Sequence, residues 1–218
     1  MNLPHLVIFD MDGLIFDTER LFMDFLKEQA KIRGYEISDE QYISTLGLSG
    51  HALKNRMISY FGKGYPFEDI SSDARASLNI YAQKNVLPVK KGITELLSFF
   101  RERGIPCACA SASPRSAVKS YLESTGLDCY FSFAVGGDMV VRGKPDPEIF
   151  TAVCDHFKIA PSQALVLEDS ENGIMAAYNG KIPVVCIPDL KYPDKQYRDL
   201  CLKVIDNALS LVTYFSED

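Results

Sequence analysis

The chain has 218 residues, 47% of them hydrophobic and 11% aromatic, so it can bury the core of one large domain, or of one domain with a smaller companion. Its formal net charge of −6 and pI near 5.2 argue against a nucleic-acid partner or an anionic membrane surface. No apolar run approaches the roughly 20 residues of a transmembrane helix, and the first residues lack the basic segment of a signal peptide.

The chain begins with a predicted strand over residues 6–9, where four apolar residues in a row indicate burial in a parallel sheet. Asp10 and Asp12 follow it, and Gly13 then permits a sharp turn or a close approach to a ligand. Ligands of open parallel sheets bind outside the carboxyl ends of the strands, so both carboxylates are expected at the mouth of a site. On the pair alone, a helix cap beside a solvent-exposed carboxylate remains an alternative.

Residues 15–87 are predicted to be a helical insertion, because their apolar spacing is helical and no β-branched run occurs between Phe16 and Val86. Helices are expected from about Leu21 to Gly34, over 38–46 and 50–61, and more weakly over 70–85. Asp17 or Thr18 is a candidate N-cap. Residues 1–14 and 88–218 then form the main domain.

Beyond a linker at 86–92, short apolar strands alternate with helices, which predicts an α/β domain with a parallel sheet. Ser113 and Asp146 each precede a proline, and we expect both to be N-caps. The predicted helices begin near residues 93, 114, 147 and 174, and the predicted strands lie at 106–111, 131–135, 164–167, 184–187 and 203–205.

The ends of these strands carry the residues of a candidate site. Carboxylates suit a hard divalent cation, commonly Mg²⁺, whereas a hydroxyl, a lysine and free N–H groups at the helix near residue 114 suit phosphate oxygens. One carboxylate could act as nucleophile and another as proton donor and acceptor. The residues concerned are Asp10, Asp12, Ser111, Lys144, Glu168 and Asp169.

Each of these residues has a structural alternative. Ser111 could satisfy a backbone group, and Lys144 and Arg115 could be solvated surface side chains. Glu168 and Asp169 could cap the following helix or stabilise its dipole. These residues nevertheless occur together, in order along the chain and mostly at predicted strand ends. This favours one common site over separate structural roles.

The six cysteines include no CxxC pair, and the three histidines lack ligand spacing, so we expect no zinc site. Cys107 and Cys109 alternate along one apolar strand, Cys186 lies in another and Cys154 on a helix. This pattern predicts buried, reduced thiols and a cytoplasmic protein.

Four ordered segments resemble the motifs of the haloacid dehalogenase superfamily, and most closely its β-phosphoglucomutase-like phosphatases. The resemblance covers essentially the whole chain and implies a Rossmann-like core with a helical cap inserted after the first strand. The segments are Phe9-Asp10-Met11-Asp12-Gly13 with Asp17-Thr18-Glu19, Ala110-Ser111-Ala112-Ser113, Lys144-Pro145-Asp146-Pro147, and Glu168-Asp169-Ser170 with Gly173.

The resemblance also implies a mechanism. Asp10 would attack phosphorus and form an aspartyl-phosphate, and Asp12 would protonate the leaving oxygen and then deprotonate the hydrolytic water. Closure of the cap would exclude bulk water. The implied Mg²⁺ ligands are Asp10, Asp12 through its backbone carbonyl, Glu168 and Asp169. The implied phosphoryl-binding residues are Ser111, Ala112, Arg115 and Lys144.

We therefore predict a Mg²⁺-dependent phosphatase of a small phosphorylated metabolite, a sugar phosphate or a nucleoside monophosphate, that binds neither nucleic acid nor membrane. A monomer is favoured, and the sequence leaves the oligomeric state open. A sugar-phosphate mutase is one alternative, and a non-catalytic phosphate-binding or regulatory protein is another. Mutases of this type carry a cap arginine after a Gly-x-Ser-like turn and a cap histidine. Here Gly50 follows Gly47-Leu48-Ser49, and Phe22 replaces the histidine. Specificity residues are expected near 47–51, Leu53 and Lys54.

Overall fold

The computed structural model describes residues 3–48 and 50–216. Contacts divide the chain into two compact units, residues 18–86 and the remainder. The first boundary falls after Asp17, three residues later than predicted, because Phe16 forms β-bridges with Asp12 and Val89, and the Asp17 N–H donates to the Pro88 carbonyl at 3.0 Å. The boundaries of a functional cap domain remain a prediction.

The larger unit contains a six-stranded parallel sheet with the order β3-β2-β1-β4-β5-β6, and this confirms the predicted α/β fold class. The first strand lies between β2 and β4, with Phe9 opposite Cys109 on one side and Leu167 on the other. The strands are β1 (Leu6–Phe9), β2 (Cys107–Ala110), β3 (Phe131–Val135), β4 (Ala164–Glu168), β5 (Val184–Cys186) and β6 (Lys203–Val204).

Four helices, α1 to α4, form the smaller unit. The pair α1 and α4 packs through apolar faces, with Leu26 and Ala74 buried and Phe25 against Tyr81 at 5.9 Å between ring centroids. Ser38 caps α2 in a capping box with Gln41. The turn Gly47-Leu48-Ser49 ends at a residue outside the described ones. The bounds are α1 (Thr18–Ile32), α2 (Asp39–Ile43), α3 (Gly50–Phe61) and α4 (Phe67–Lys84).

Within the described part of the larger unit, six α-helices accompany the sheet. The central strand is buried on both faces, and Phe9 makes edge contacts with Phe100 and Phe131. This explains why β1 reads as an uninterrupted apolar run. The helices are α5 (Ile93–Glu102), α6 (Arg115–Ser124), α7 (Glu148–Phe157), α8 (Glu171–Asn179), α9 (Lys195–Arg198) and α10 (Ala208–Ser216).

Several details differ from the predicted elements. The helices α9 and α10 were not predicted, and α4 begins three residues earlier than expected. Pro147 is itself the N-cap residue of α7, although Asp146 still accepts the N–H of Glu148 at 3.0 Å. Within the described part of the chain, no helix combines the length and the apolar character needed to span a bilayer.

Candidate active site

The first carboxylate of the site, Asp10, directly follows β1 at the carboxyl edge of the sheet. Its backbone N–H donates to the carbonyl of Leu167 at 3.0 Å, which fixes it beside the end of β4. Its side chain is 9% exposed, and its Oδ1 accepts a hydrogen bond from the ammonium of Lys144. The same ammonium donates to Oε1 of Glu168 at 2.6 Å. One buried lysine therefore links carboxylates from two adjacent strands.

The second oxygen of Glu168 is held by the turn that follows β4. It accepts the backbone N–H groups of Asp169 and Ser170 at 2.9 and 2.8 Å and the hydroxyl of Ser170 at 2.9 Å. Ser170 in turn caps α8 by accepting the N–H of Gly173. A Cβ on Gly173 would clash with the Glu168 carboxylate, so a glycine is required there. These bonds fix the Glu168 carboxylate against the start of α8.

Three carboxylates form a compact group that could hold a metal ion. Asp10, Glu168 and Asp169 each offer an oxygen, and these three oxygens lie within 4.8 Å of one another. Gly13 has φ +85°, and a Cβ there would lie only 3.0 Å from Cγ of Asp169. The glycine after the two aspartates therefore lets the backbone approach Asp169 closely.

The electrostatics of this group are those of crowded, buried negative charge. Burial raises the pKa of Asp10 to about 8, with Glu168 and Asp12 adding to the increase and Lys144 opposing it. Burial likewise raises the pKa of Asp169 well above its ordinary value, and neighbouring carboxylates add to the effect. Burial alone would lower the pKa of Lys144, but attraction to Asp10 and Glu168 outweighs it and raises that pKa. A divalent cation would relieve this repulsion between carboxylates.

The other aspartate, Asp12, is held by hydroxyl groups. Ser111 and Ser113 donate their hydroxyls to Oδ2 of Asp12 at 3.1 and 2.9 Å. The prediction that Ser113 caps α6 is therefore wrong: Pro114 is the N-cap residue, and no side chain caps that helix. The Ser113 hydroxyl can bond to the Asp12 carboxylate because β2 and β1 are neighbouring strands of the sheet.

The predicted phosphate cradle at the start of α6 also needs correction. The N–H of Ser113 donates to Oγ of Ser111 at 3.0 Å, and the N–H of Arg115 donates to Oδ1 of Asp138 at 2.8 Å, so neither is free for an anion. Across residues 3–48 and 50–216, we find no acceptor for the N–H groups of Met11 and Ala112. Among the same residues the N–H of Ser116, in the first turn of α6, also has no acceptor, so donors are available at the ends of β1 and β2 and at one position of that helix.

The structure thus brings together most of the predicted site residues. Asp10, Lys144, Glu168 and Asp169 form one linked group, while Asp12 and Ser111 form a second one beside it. Ala112 and Arg115 are exposed, and they follow Ser111 in the chain. Their roles in substrate binding remain predictions.

Two residues with roles at this site were not identified from the sequence. Ser113 belongs to the same motif as Ser111, and this could have indicated that it lies at the site. We interpreted it as a helix cap instead, because Pro114 follows it. Asp189 lies in the segment after β5, and its carboxylate reaches a point beside Gly13 and Asp169. Other site carboxylates, such as Asp10, directly follow an apolar run. Asp189 was missed because Pro188 separates it from the apolar residues of β5.

Comparison with known proteins identifies relatives over most of the chain. The sequence model of the haloacid dehalogenase-like hydrolases matches residues 4–180. A Thermotoga maritima protein named "Phosphorylated carbohydrates phosphatase" is 28% identical over 186 residues, which are 81% of each chain. A Drosophila melanogaster protein named "Probable pseudouridine-5'-phosphatase" is 31% identical over 192 residues, 84% of this chain and 80% of that one.

A solved structure shares the fold. The crystal structure of β-phosphoglucomutase from Clostridium difficile superposes with a TM-score of 0.76 and covers 99% of this chain and 96% of its own. Its sequence identity is 22%, so this likeness concerns the fold alone.

Proposed function

The chain belongs to the haloacid dehalogenase-like hydrolases, as its motifs predicted, and we propose that it is a Mg²⁺-dependent phosphatase that forms an aspartyl-phosphate on Asp10. Its class, phosphoric monoester hydrolase, agrees with the phosphatase names of its relatives. The substrate that we propose is a small phosphorylated metabolite, either a sugar phosphate or a nucleoside monophosphate. The names of the two relatives support these two substrate classes.

One observation carries this proposal: a lysine, three carboxylates and two unpaired N–H groups converge at one edge of the sheet. The Lys144 ammonium contacts Asp10 and Glu168, and a divalent cation would add positive charge on the Asp169 side. Phosphoryl transfer needs positioning of the phosphorus and neutralisation of its equatorial oxygens. The arrangement supplies both requirements.

The donor set also fits Mg²⁺. Three carboxylates, with oxygens within 4.8 Å of one another, suit a hard cation that prefers oxygen ligands and retains several waters. Asp10, Asp169 and the backbone carbonyl of Asp12 would hold the ion directly, and Glu168 directly or through water. The bound ion would neutralise charge on the phosphoryl oxygens and keep the Asp10 carboxylate ionised.

In the first step, a carboxylate oxygen of Asp10 attacks phosphorus while the bond to the leaving oxygen breaks. Asp12 donates a proton to that oxygen, which departs as an alcohol with the bonding electron pair. The hydroxyls of Ser111 and Ser113 keep the Asp12 carboxyl group in one orientation for this transfer. The N–H groups of Met11 and Ala112 would donate to the phosphoryl oxygens.

In the second step, water attacks the phosphorus of the aspartyl-phosphate. Asp12, now ionised, accepts a proton from this water, and the bond between phosphorus and the Asp10 oxygen breaks. Inorganic phosphate leaves, and both aspartates return to their starting states. Lys144 remains charged throughout and holds Asp10 in position between the two steps.

The test is phosphate release from a panel of phosphorylated metabolites, measured with Mg²⁺ and with excess chelator. The panel contains hexose and pentose phosphates, nucleoside 5′-monophosphates and pseudouridine 5′-phosphate. We expect Mg²⁺-dependent release from at least one of them, and an acid-quenched enzyme whose mass is increased by one phosphoryl group. Absence of release from the whole panel, or release that persists without divalent cations, would contradict the proposal.

The same preparation separates the alternatives. Conversion of glucose 1-phosphate to glucose 6-phosphate, faster than the release of inorganic phosphate, would identify a mutase. Binding of inorganic phosphate without turnover of any substrate would identify a non-catalytic protein. The Asp10→Asn variant, matched in size to the wild type, is the control for contaminating phosphatases.

A further inference from the structure

Asp189 presents a buried carboxylate that the mechanism above does not use. Its side chain is 6% exposed, and its Oδ1 accepts a hydrogen bond from the ammonium of Lys90. Its Oδ2 is buried and has no hydrogen-bond partner among the described residues. A buried carboxylate oxygen without a partner is unfavourable, so its place in the fold requires an explanation.

This unpaired oxygen lies near Asp169, one of the three carboxylates that could hold a metal ion. A Cβ built on Gly13 would lie 3.3 Å from Oδ2 of Asp189 and 3.0 Å from Cγ of Asp169. Both carboxylates therefore lie close to the same point beside the glycine. The absence of a side chain on Gly13 leaves the space between them open.

Asp189 is nevertheless too distant to complete the inner group. Its oxygens do not join those of Asp10, Glu168 and Asp169, which all lie within 4.8 Å of one another. It lies next to Asp169 but outside the distances that a shared ion would require. This is the position of a group that contacts the ion's bound water and not the ion itself.

We propose that Asp189 accepts a hydrogen bond from a water on the divalent cation and that Lys90 sets the net charge around that cation. The inference rests on the proposed function, because it requires a metal ion at Asp10 and Asp169. Partners that hold the waters and ligands of a metal ion orient them and strengthen binding. In this arrangement the unpaired Oδ2 gains its partner when the cation and its water bind.

The charges around the cation support this assignment. Four carboxylates surround the site, on Asp10, Glu168, Asp169 and Asp189, and two ammonium groups accompany them, on Lys90 and Lys144. Their formal charge is −2, and the carboxylate of Asp12 beside them adds further negative charge, so a divalent cation lowers the net negative charge of the site. Lys90 follows Val89, which forms a β-bridge with Phe16, three residues after Gly13. This bridge fixes the backbone of Lys90 relative to Gly13. Its own N–H donates to the Ile15 carbonyl at 2.8 Å.

A purely structural role for Asp189 would predict a different pattern of mutational effects. If the carboxylate only anchors its loop through Lys90, then removing either partner should have the same consequences. If it contacts a metal-bound water, then removing Asp189 weakens metal binding, whereas removing Lys90 leaves a more negative site and does not weaken it. The two variants therefore distinguish the roles by the sign of their effect.

The experiment is a titration with Mg²⁺ alone, without substrate, by isothermal calorimetry and by the increase in Tm with Mg²⁺. The proteins are the wild type, Asp189→Asn, Lys90→Gln and the exposed control Asp155→Asn. We expect about tenfold weaker binding for Asp189→Asn, at the lower end of the range for groups behind metal ligands. Lys90→Gln should bind Mg²⁺ at least as tightly as the wild type, and Asp155→Asn should bind it equally.

The outcomes separate this inference from the proposed function. Wild-type affinity in Asp189→Asn, or equal weakening in Asp189→Asn and Lys90→Gln, would overturn the inference and leave the phosphatase proposal standing. Failure of the wild type to bind Mg²⁺ would overturn both. If Asp189→Asn does not fold, tighter Mg²⁺ binding by Lys90→Gln would still support the role of the carboxylate, and weaker binding would reject it.

Discussion

The two sides of the site use different chemistry to hold an aspartate in place. On the hydroxyl side, formed by Asp12, Ser111 and Ser113, two neutral donors converge on a single carboxylate oxygen. On the carboxylate side, formed by Asp10, Glu168, Asp169 and Lys144, a buried ammonium holds crowded anions together. The first arrangement suits an aspartate that gains and loses a proton, because both of these hydrogen-bond donors are neutral. The second suits a cation.

This contrast follows from the order of the strands. The hydroxyls come from the loop after β2, whereas Glu168 ends β4 and Asp169 follows it, and the two strands flank β1 on opposite sides. Asp10 and Asp12 belong to the same loop but have different neighbours. Proton transfer and metal binding can therefore be altered separately by substitution, and the following variants test that separation.

Replacing Asp10, which takes part in both steps, should have the largest effect. We expect Asp10→Asn to reduce kcat by at least about a thousandfold, because an amide cannot act as the nucleophile. The rate of phosphate release measures kcat, and the mass of the acid-quenched enzyme reports whether the aspartyl-phosphate forms. Circular dichroism verifies that the variant is folded. Activity close to that of the wild type would exclude Asp10 as the nucleophile.

The hydroxyl side is tested by Asp12→Asn. We expect kcat to fall by about 10²–10⁴-fold, the range for loss of a general acid and base. The affinity for Mg²⁺ should change little, because the backbone carbonyl is the proposed ligand. Calorimetry with Mg²⁺ measures the affinity for the ion, and steady-state kinetics measure kcat. A parallel loss of metal affinity would show that the two sides are not separable.

The carboxylate side is tested by Asp169→Asn. Here we expect Mg²⁺ binding to weaken by at least about tenfold, since even groups behind metal ligands have effects of that size. Part of the lost activity should return at high Mg²⁺ concentration, which is not expected for Asp12→Asn. Activity that does not respond to added Mg²⁺ in Asp169→Asn would contradict the assignment of this carboxylate as a metal ligand.

The smallest effect is expected for Ser113→Ala. One of the two hydroxyls on Asp12 remains, so we expect kcat to fall by about three- to tenfold, consistent with the loss of one hydrogen bond of ordinary strength, about 1 kcal/mol. KM and Mg²⁺ affinity should stay unchanged. Ser113→Thr, which keeps a hydroxyl, should restore most of the rate, and Ser116→Ala on the exposed face of α6 is the matched control. An unchanged kcat in Ser113→Ala would reject a positioning role.

Much of the fold and site could be predicted from local sequence. Apolar runs marked the strands, and the polar residues after them marked one edge of the sheet, because parallel strands present their carboxyl ends on the same side. This reasoning identified Asp10, Asp12, Ser111 and Glu168. It also identified Asp169 and Lys144, although Lys144 precedes a helix and does not follow a strand, and the family motifs then implied roles for these residues.

Hydrogen-bond partners were harder to predict. Ser113 before Pro114 is typical of a helix cap, but its hydroxyl bonds to Asp12 on another strand. The N–H of Arg115 is taken by Asp138, which is distant in the chain. A cap pattern predicts hydrogen bonds between a side chain and backbone groups close to it in sequence. It contains no information about acceptors from distant parts of the chain that the fold brings close.

The sequence by itself determined the fold class, the family and the set of residues at the strand ends, because each depends on the order and periodicity of neighbouring residues. Only the tertiary structure decided which donors remain available at Met11 and Ala112, which hydroxyl holds Asp12, and that Asp189 approaches Asp169 across Gly13. These features depend on side chains from separate loops that meet only after the sheet has formed.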